Sequence, residues 1–412
     1  MKYLVKYLSI GLLASDLSGC ASFGEGVVKA VLEKQEENDT RLCEIWGKSF
    51  TGIAPHLDNS NGIMKVLMVH GVGDHLPGYS TQFLEKLTRE LGLEVMSAQQ
   101  KDLTLSSQTI PNKNLGNLRI KRYMSKDKRS EMLFYELTWS MITAPYKAVL
   151  SYDNSGEYSF RRAEVNDLMK KFSNDTGPDP IIYLGESQDD ILVSFAQSFC
   201  WMAKTNWDGL PESGTHACSF NDDALAQNIR KDQYAFISHS LGSRITIDGL
   251  QRIAGLLDKR NPAFHEALKD KEIPIYMMSN QLPMLQLGRK LPDIYNQNAT
   301  YCTANGEKYA QRMVAKTPIV AFSDPNDLLS YAIPSGFVEK YLDSRLCVDV
   351  TNININVAKI FDAFGLGKMA NPLAAHVGYD TDDRVVALIA KGIGNTNTEK
   401  VINERCHWVE TM

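Results

Sequence analysis

The chain has 412 residues, enough for one large domain or two smaller ones, and its 43% hydrophobic content permits a sizeable core. Its formal net charge of -5 argues against non-specific binding to nucleic acid, which requires an excess of basic side chains. Nothing in these quantities indicates an oligomeric state.

Residues 1–19 have the features of an export signal. Two lysines supply positive charge, and the apolar run 8–17 is too short to span a bilayer. The sequence Leu-Ser-Gly-Cys at 17–20 resembles a bacterial lipobox, which implies cleavage before Cys20 and lipidation of its thiol. The same resemblance, with Ala21 in the next position, implies the outer membrane of a bacterial cell envelope. An ordinary secretory signal with an incidental cysteine is the alternative.

The segment after the lipobox, 20–62, is expected to be a tether or adaptor between the lipid and the folded domain. A short amphipathic helix is expected within 24–38, and the Asn-Ser-Asn-Gly run at 59–62 breaks regular structure. The main domain is expected over 63–396, with a C-terminal tail at 397–412.

From residue 64 onward, short apolar runs alternate with longer segments of helical pattern. The run 64–69 has few charges and suits a central parallel strand covered on both faces. Further strands are expected at 118–123, 131–137, 234–237, 273–278, 319–322 and 348–357, and helices at 82–91, 160–172, 189–204, 244–257 and 383–390. This alternation predicts an α/β fold with a doubly wound, mostly parallel sheet. The stretch 141–232 predicts a mostly helical excursion or cap before the strand 234–237.

The most informative motif is Ser-His-Ser-Leu-Gly-Ser at 238–243, between an expected strand and an expected helix. A sharp strand-to-helix turn at a Ser-x-Gly step places the Ser240 hydroxyl on top of the sheet, where the first N–H groups of the helix point at whatever it attacks. The usual pattern is Gly-x-Ser-x-Gly. Ser238 replaces the first glycine, at a position that requires a small residue. His239 is expected to pack or to line a substrate pocket.

A serine nucleophile needs a base, and the base needs an orienting acid. Asp324 and Asp327 follow the strand expected at 319–322, and His376 lies in an expected loop before the final helix. Upstream, the His-Gly-Val-Gly turn at 70–73 follows the first strand, and its glycines leave room for a substrate oxygen.

With these four features in this order, residues 64–394 resemble the α/β-hydrolase superfamily, specifically its serine esterase and lipase-like members. The resemblance implies the α/β-hydrolase fold and a carboxylic-ester hydrolase acting through an acyl-enzyme on a small-molecule or lipid ester. Ser240 would be the nucleophile, His376 the base and Asp327 the acid. His70 would support the oxyanion loop.

The resemblance also implies an oxyanion hole formed by the backbone N–H groups of Val72 and Leu241. Asp324 is the alternative acid. Asp327 is preferred because the acid in these enzymes precedes a short apolar pair, here 328–329, whereas Asp324 suits a turn before a proline.

Two other functions remain open at this point. An acyltransferase or thioesterase would use the same three residues with a different acceptor. A lipoprotein that binds a ligand on a hydrolase scaffold without catalysis belongs to another class.

The chain contains seven cysteines. Without the lipidated Cys20, six remain, which in an exported protein is compatible with up to three disulfides. Cys200 with Cys218 is the pair favoured by proximity, and six buried free thiols are the alternative. No two cysteines have the Cys-x-x-Cys spacing of a zinc or redox site, so no metal site is expected. No cofactor is expected either.

Overall fold

The computed structural model describes residues 41–57, 62–96, 100–107, 110, 113–155, 162–222, 224–362 and 368–410. The expected signal peptide, the lipidation site Cys20 and the helix expected within 24–38 lie outside these residues. Among the described residues, no helix is both long enough and apolar enough to cross a bilayer.

The strands, in chain order, are β1 (Cys43–Trp46), β2 (Phe50–Thr51), β3 (Met64–Val69), β4 (Leu93–Val95), β5 (Lys101–Ser106), β6 (Asn114–Ser125), β7 (Glu131–Thr138), β8 (Ser213–His216), β9 (Gln233–His239), β10 (Ile275–Met278), β11 (Thr317–Ser323), β12 (Val348–Ile355), β13 (Ile360–Asp362), β14 (Lys368–Ala370), β15 (Gly392–Ile393) and β16 (Cys406–Trp408). All seven expected strands are present; β3 has the expected ends, and each of the other six is shifted at one or both ends. The described part of the chain therefore contains more strands than the sequence patterns indicate.

The α-helices are α1 (Ala54–Leu57), α2 (Thr81–Glu90), α3 (Ala144–Lys147), α4 (Ser151–Ser155), α5 (Glu164–Thr176), α6 (Pro178–Leu184), α7 (Gln188–Lys204), α8 (Ala224–Lys231), α9 (Leu241–Arg260), α10 (Pro262–Leu268), α11 (Asn298–Cys302), α12 (Phe337–Tyr341), α13 (Pro372–Val377), α14 (Asp383–Lys391) and α15 (Lys400–Arg405). Helices α3 to α8 occupy the expected excursion, so its mostly helical character is confirmed.

One twelve-stranded sheet organises the fold. Its centre is the parallel series β12-β11-β10-β9-β3-β7. Beyond β7 the sheet continues through β6 and β5, which are antiparallel, to β8. Two apolar clusters lie on its opposite faces, one including α7 and α9 and the other α2 and α14. The predicted α/β architecture with a mostly parallel sheet is confirmed.

Successive residues of the central strands are buried because helices cover both faces of the sheet. Every residue of β3 is buried, including Lys65. The Lys65 ammonium group lies 2.7 Å from a carboxylate oxygen of Asp232 and 2.8 Å from the carbonyl oxygen of Thr205, so its charge is paired. This pairing explains how a lysine is accommodated in an otherwise apolar strand.

The two ends of the described chain differ from the expected adaptor and tail. Strand β1, within the expected adaptor, is part of the main sheet and pairs with β12. Strand β16, within the expected tail, pairs with β1 on its other side. The excursion also contains β8, which pairs with β5 at the far edge of the sheet. Strands β1, β8 and β16 have only four, four and three residues, and each contains polar or charged side chains, so they lack the continuous apolar run that predicts the central strands.

Three disulfides connect the six described cysteines. They join Cys43 to Cys406, Cys200 to Cys218 and Cys302 to Cys347. The favoured pair, Cys200 with Cys218, is confirmed, and the free-thiol alternative is wrong. The other two pairs connect residues far apart in sequence, so proximity could not have identified them.

Candidate active site

The expected strand-to-helix elbow is present. Strand β9 ends at His239, α9 begins at Leu241, and Ser240 between them has a backbone φ of +54°. This left-handed conformation is uncommon for a residue with a side chain and persists only where surrounding structure enforces it. A hydrogen bond from the Ser240 N–H to the carbonyl of Met278 ties the elbow to the end of β10.

Two glycines near Ser240, Gly71 and Gly242, lie too close to neighbouring atoms to carry a side chain. A Cβ on Gly71 would lie 2.5 Å from the Cβ of Ser240, and a Cβ on Gly242 would collide with the carbonyl oxygen of Val69. The turn after β3 and the elbow after β9 are therefore in backbone contact. Ser238 is fully buried between the neighbouring strands β3 and β10, where a small side chain fits.

A continuous hydrogen-bonded chain joins the three side chains expected to act together. Nε2 of His376 lies 3.1 Å from Oγ of Ser240, and Nδ1 of the same ring lies 3.0 Å from Oδ1 of Asp327. If Nδ1 carries the proton and donates it to the carboxylate, Nε2 can accept the serine proton. All three residues are buried.

The Asp327 carboxylate accepts hydrogen bonds at both oxygens. Besides His376, Oδ1 accepts from the N–H of Leu329, while Oδ2 accepts from the hydroxyls of Ser279 at 2.7 Å and Tyr379 at 3.2 Å. Burial by itself raises the pKa of Asp327, but the hydrogen bonds and charge of His376, with the bond from Ser279, outweigh it and lower the pKa to about 2. The carboxylate is therefore ionised at neutral pH.

Asp324 has a different environment. One of its oxygens accepts from the backbone N–H groups of Val357 and Ala358, and the other accepts from Asn326. These bonds connect the loop after β11 to the chain leaving β12. Asp324 is thus a buried loop-forming residue, and Asp327 is the carboxylate that meets His376.

His376 lies in helix α13 and not in the expected loop. Pro372 occupies the first turn of this helix, and the side chain of Asn371 caps it by accepting from two backbone N–H groups. His239 reaches the same helix, with its Nε2 2.8 Å from the backbone carbonyl of His376. His239 therefore packs against His376 and holds the backbone that carries its ring, which is the packing role expected as one of two possibilities.

The turn 70–73 is fixed by two histidines. The Nδ1–H of His70 donates to the carbonyl of Gly71 at 2.8 Å, while its Nε2 accepts from the N–H of Trp139. His75 donates from Nε2 to the carbonyl of Val72 at 3.1 Å. Among the described residues, no acceptor is paired with the N–H of Val72 or of Leu241. Both expected oxyanion donors are therefore available.

The helical excursion holds the same turn from the other side. The N–H of Gly73 donates to Oδ2 of Asp179 at 2.6 Å, and the ammonium of Lys147 lies 3.1 Å from that carboxylate. Lys147 also pairs with Asp74 and Asp175. Burial raises the pKa of Asp179, and the charge of Lys147 opposes this effect. The conformation of the turn thus depends on a buried ion pair in the excursion.

Ser279, Tyr379, His75 and Asp179 were not recognised from the sequence as parts of this site. Ser279 directly follows β10, so a search for polar residues at the carboxyl ends of buried strands could have found it. The other three have no comparable position in the chain. Among the residues that the structure describes, no group of side chains suits a metal ion.

The buried histidines generate a prediction about pH. Burial holds the pKa of His70 well below its usual value of 6.5 and lowers the pKa of His239 to about 3, so His239 should remain neutral in the folded protein at pH 5. The unfolded chain takes up these protons, so stability should fall as the pH drops below about 6.5, by up to about 1.4 kcal/mol per pH unit for each histidine. An NMR titration of the histidine ring protons measures the pKa of each ring in the folded protein. A midpoint near pH 6.5 for either ring would contradict it.

Comparisons with models of protein families, with curated proteins and with solved structures find no significant match to this chain.

Proposed function

We propose that this chain is a serine hydrolase of the α/β-hydrolase fold that cleaves carboxylic esters through an acyl-enzyme. The observation that carries the proposal is the hydrogen-bonded chain from Ser240 through His376 to Asp327, with distances of 3.1 and 3.0 Å. A scaffold without catalysis has no physical need to keep a buried serine, histidine and carboxylate in hydrogen-bonding contact.

The reaction follows from this geometry. Oγ of Ser240 attacks the ester carbonyl carbon while Nε2 of His376 takes the hydroxyl proton, and Asp327 stabilises the resulting imidazolium. As the tetrahedral intermediate collapses, the alcohol leaves with the proton from Nε2, and the acyl group stays on Oγ. Water then repeats the sequence and releases the acid and the free serine.

The developing oxyanion would be held by the N–H groups of Val72 and Leu241. Their positions are supported by independent contacts, because His75 and Asp179 fix the turn around Val72 and Leu241 opens helix α9. Donors held in place before the reaction stabilise the transition state without reorganisation, and one such donor accounts for about 10²–10³ in rate.

The position of these residues in the sheet also supports the proposal. The turn 70–73, Ser240, Ser279 and the acid loop follow β3, β9, β10 and β11, which are parallel and adjacent. The carboxyl ends of adjacent parallel strands meet at one edge, where α/β proteins place their ligands.

Exposed apolar side chains flank the proposed catalytic residues along the chain. Leu328 follows Asp327 and Val377 follows His376, and both are exposed. Apolar surface at these places favours an ester with a lipophilic acyl or alcohol group. Ser240 itself is 0% exposed, so the segments that cover it must move before a substrate can reach Oγ.

We also propose that the chain is anchored to a bacterial membrane through lipid on Cys20, and that this membrane is the outer membrane. The support is the lipobox-like sequence at 17–20 and the three disulfides, which form in oxidising compartments outside the cytoplasm. A lipid anchor would place the site next to membrane-borne esters.

Ser240→Ala should abolish turnover of short p-nitrophenyl esters, by about 10⁴-fold or more, because no other group can take over the attack. A fluorophosphonate probe should label the wild type at Ser240 and leave the variant unlabelled. The matched control is Ser194→Ala, which removes an unpartnered buried hydroxyl in helix α7 and should keep full activity. Absence of labelling in folded wild-type protein, or full turnover by Ser240→Ala, would refute the proposal.

The variants Asp327→Asn and Asp324→Asn should distinguish the roles of the two carboxylates. Asp327→Asn should lower kcat by about 10⁴-fold, because an amide cannot hold the required imidazole tautomer. Asp324→Asn should lower the melting temperature and keep most of kcat, since this carboxylate contacts only loop groups. Steady-state kinetics and calorimetry on both variants test this. A larger loss of kcat in Asp324→Asn would reverse the assignment.

Cys20→Ala should release the protein from the membrane fraction while keeping its esterase activity. The reason is that lipidation requires the thiol, and no other attachment is proposed. Fractionation of cells that express either form, with detection by immunoblot, measures the effect. Unchanged retention of the variant would refute the anchor and leave the catalytic proposal intact.

A further inference from the structure

Ser279 stands out among the buried polar residues because its backbone is strained. It directly follows β10, is 0% exposed and has a φ of +49°. A non-glycine residue in the left-handed region is uncommon and is held there only by its surroundings. Glycine would adopt this conformation more easily, so the presence of a side chain here needs an explanation.

The hydroxyl of Ser279 contacts both members of the acid–base pair. Its Oγ lies 2.7 Å from Oδ2 of Asp327 and 3.0 Å from Nδ1 of His376. The ionised carboxylate can only accept, so the single serine proton is donated to Oδ2. The oxygen lone pairs are then free to face the Nδ1–H of His376.

The imidazole N–H therefore has two acceptors at equal distance. Nδ1 lies 3.0 Å from Oδ1 of Asp327 and 3.0 Å from Oγ of Ser279. In the reaction proposed above, the ring becomes positively charged at the moment of attack. A hydroxyl dipole whose oxygen faces the ring stabilises that charge, and the bond to Oδ2 prevents the carboxylate from rotating away.

Tyr379 does not duplicate this role. Its hydroxyl lies 3.2 Å from Oδ2 of Asp327 and also 3.2 Å from Oγ of Ser330, and it accepts from the N–H of Asp324. It links the acid loop to the chain after α13, whereas Ser279 comes from β10 and contacts the ring itself. Ser279 is thus the side chain that contacts both Asp327 and His376.

We propose that Ser279 is a positioning residue of the catalytic apparatus. Its hydroxyl holds the Asp327 carboxylate in line with the imidazole and supplies a second acceptor to Nδ1–H of His376. The strained backbone is the conformation that brings the hydroxyl to both partners. This inference rests on the proposed serine hydrolase function.

The test uses Ser279→Ala and Ser279→Gly in the full-length protein. Alanine removes the hydroxyl and keeps the strained Cβ, whereas glycine removes the hydroxyl and relieves the strain. Both variants should lower kcat for p-nitrophenyl esters, and the rate of fluorophosphonate labelling at Ser240, by about 10- to 100-fold, the effect of losing a hydrogen bond to a charged group. KM should not change. Ser194→Ala should match the wild type.

The two variants should differ in stability, with glycine giving the higher melting temperature. Equal losses of kcat in spite of that difference would assign the effect to the hydroxyl. Wild-type kcat in Ser279→Gly would overturn the proposal, as would a loss that appears only in KM. If either variant fails to fold, Ser279→Cys provides the test, because a thiol is similar in shape to the hydroxyl but a weaker hydrogen-bond donor. Its kcat should lie between those of the wild type and Ser279→Ala. A kcat equal to that of the wild type would overturn the proposal.

The outcomes also separate this inference from the function on which it rests. Folded wild-type protein that does not react with the fluorophosphonate probe would contradict the hydrolase itself. Wild-type protein labelled at Ser240, with Ser279 variants labelled at the same rate, would contradict only the role of Ser279.

Discussion

The site depends on one close contact between two pieces of backbone. The turn after β3 touches the elbow after β9, and this contact leaves no room for a side chain on Gly71 or Gly242. Ser240, which lies in this contact, has a left-handed backbone conformation, and the chain leaving β3 lies beside the start of helix α9. The relative position of the proposed nucleophile and the proposed oxyanion donors is therefore a property of two neighbouring parallel strands.

Around this contact, buried charges and dipoles hold each other in place. Asp327 is ionised in a buried position because four hydrogen-bond donors surround it. On the opposite side, the pairing of Lys147 with Asp179 connects the helical excursion to Gly73. The excursion therefore contributes to the geometry of the turn, and a change in its position would alter the conformation of that turn.

The central strands and the three proposed catalytic residues could be predicted from sequence because each leaves a local signal. A strand buried on both faces is a continuous apolar run, and the elbow is a fixed spacing of small residues. Strand β5 has no such signal because its exposure alternates and it carries Lys101 and Asp102. Ser279 was missed because one serine after an apolar strand is ordinary, and its role depends on two partners that follow it by 48 and 97 positions in the chain.

The pairing of β1 constrains the order in which the molecule can assemble. This strand is among the first parts of the described chain to be synthesised, yet its neighbours in the sheet are β12 and β16, near the other end. It cannot pair with them until β12 and β16 have been synthesised. The Cys43–Cys406 disulfide joins β1 to β16, so we expect it to form late in folding, after most of the sheet has assembled.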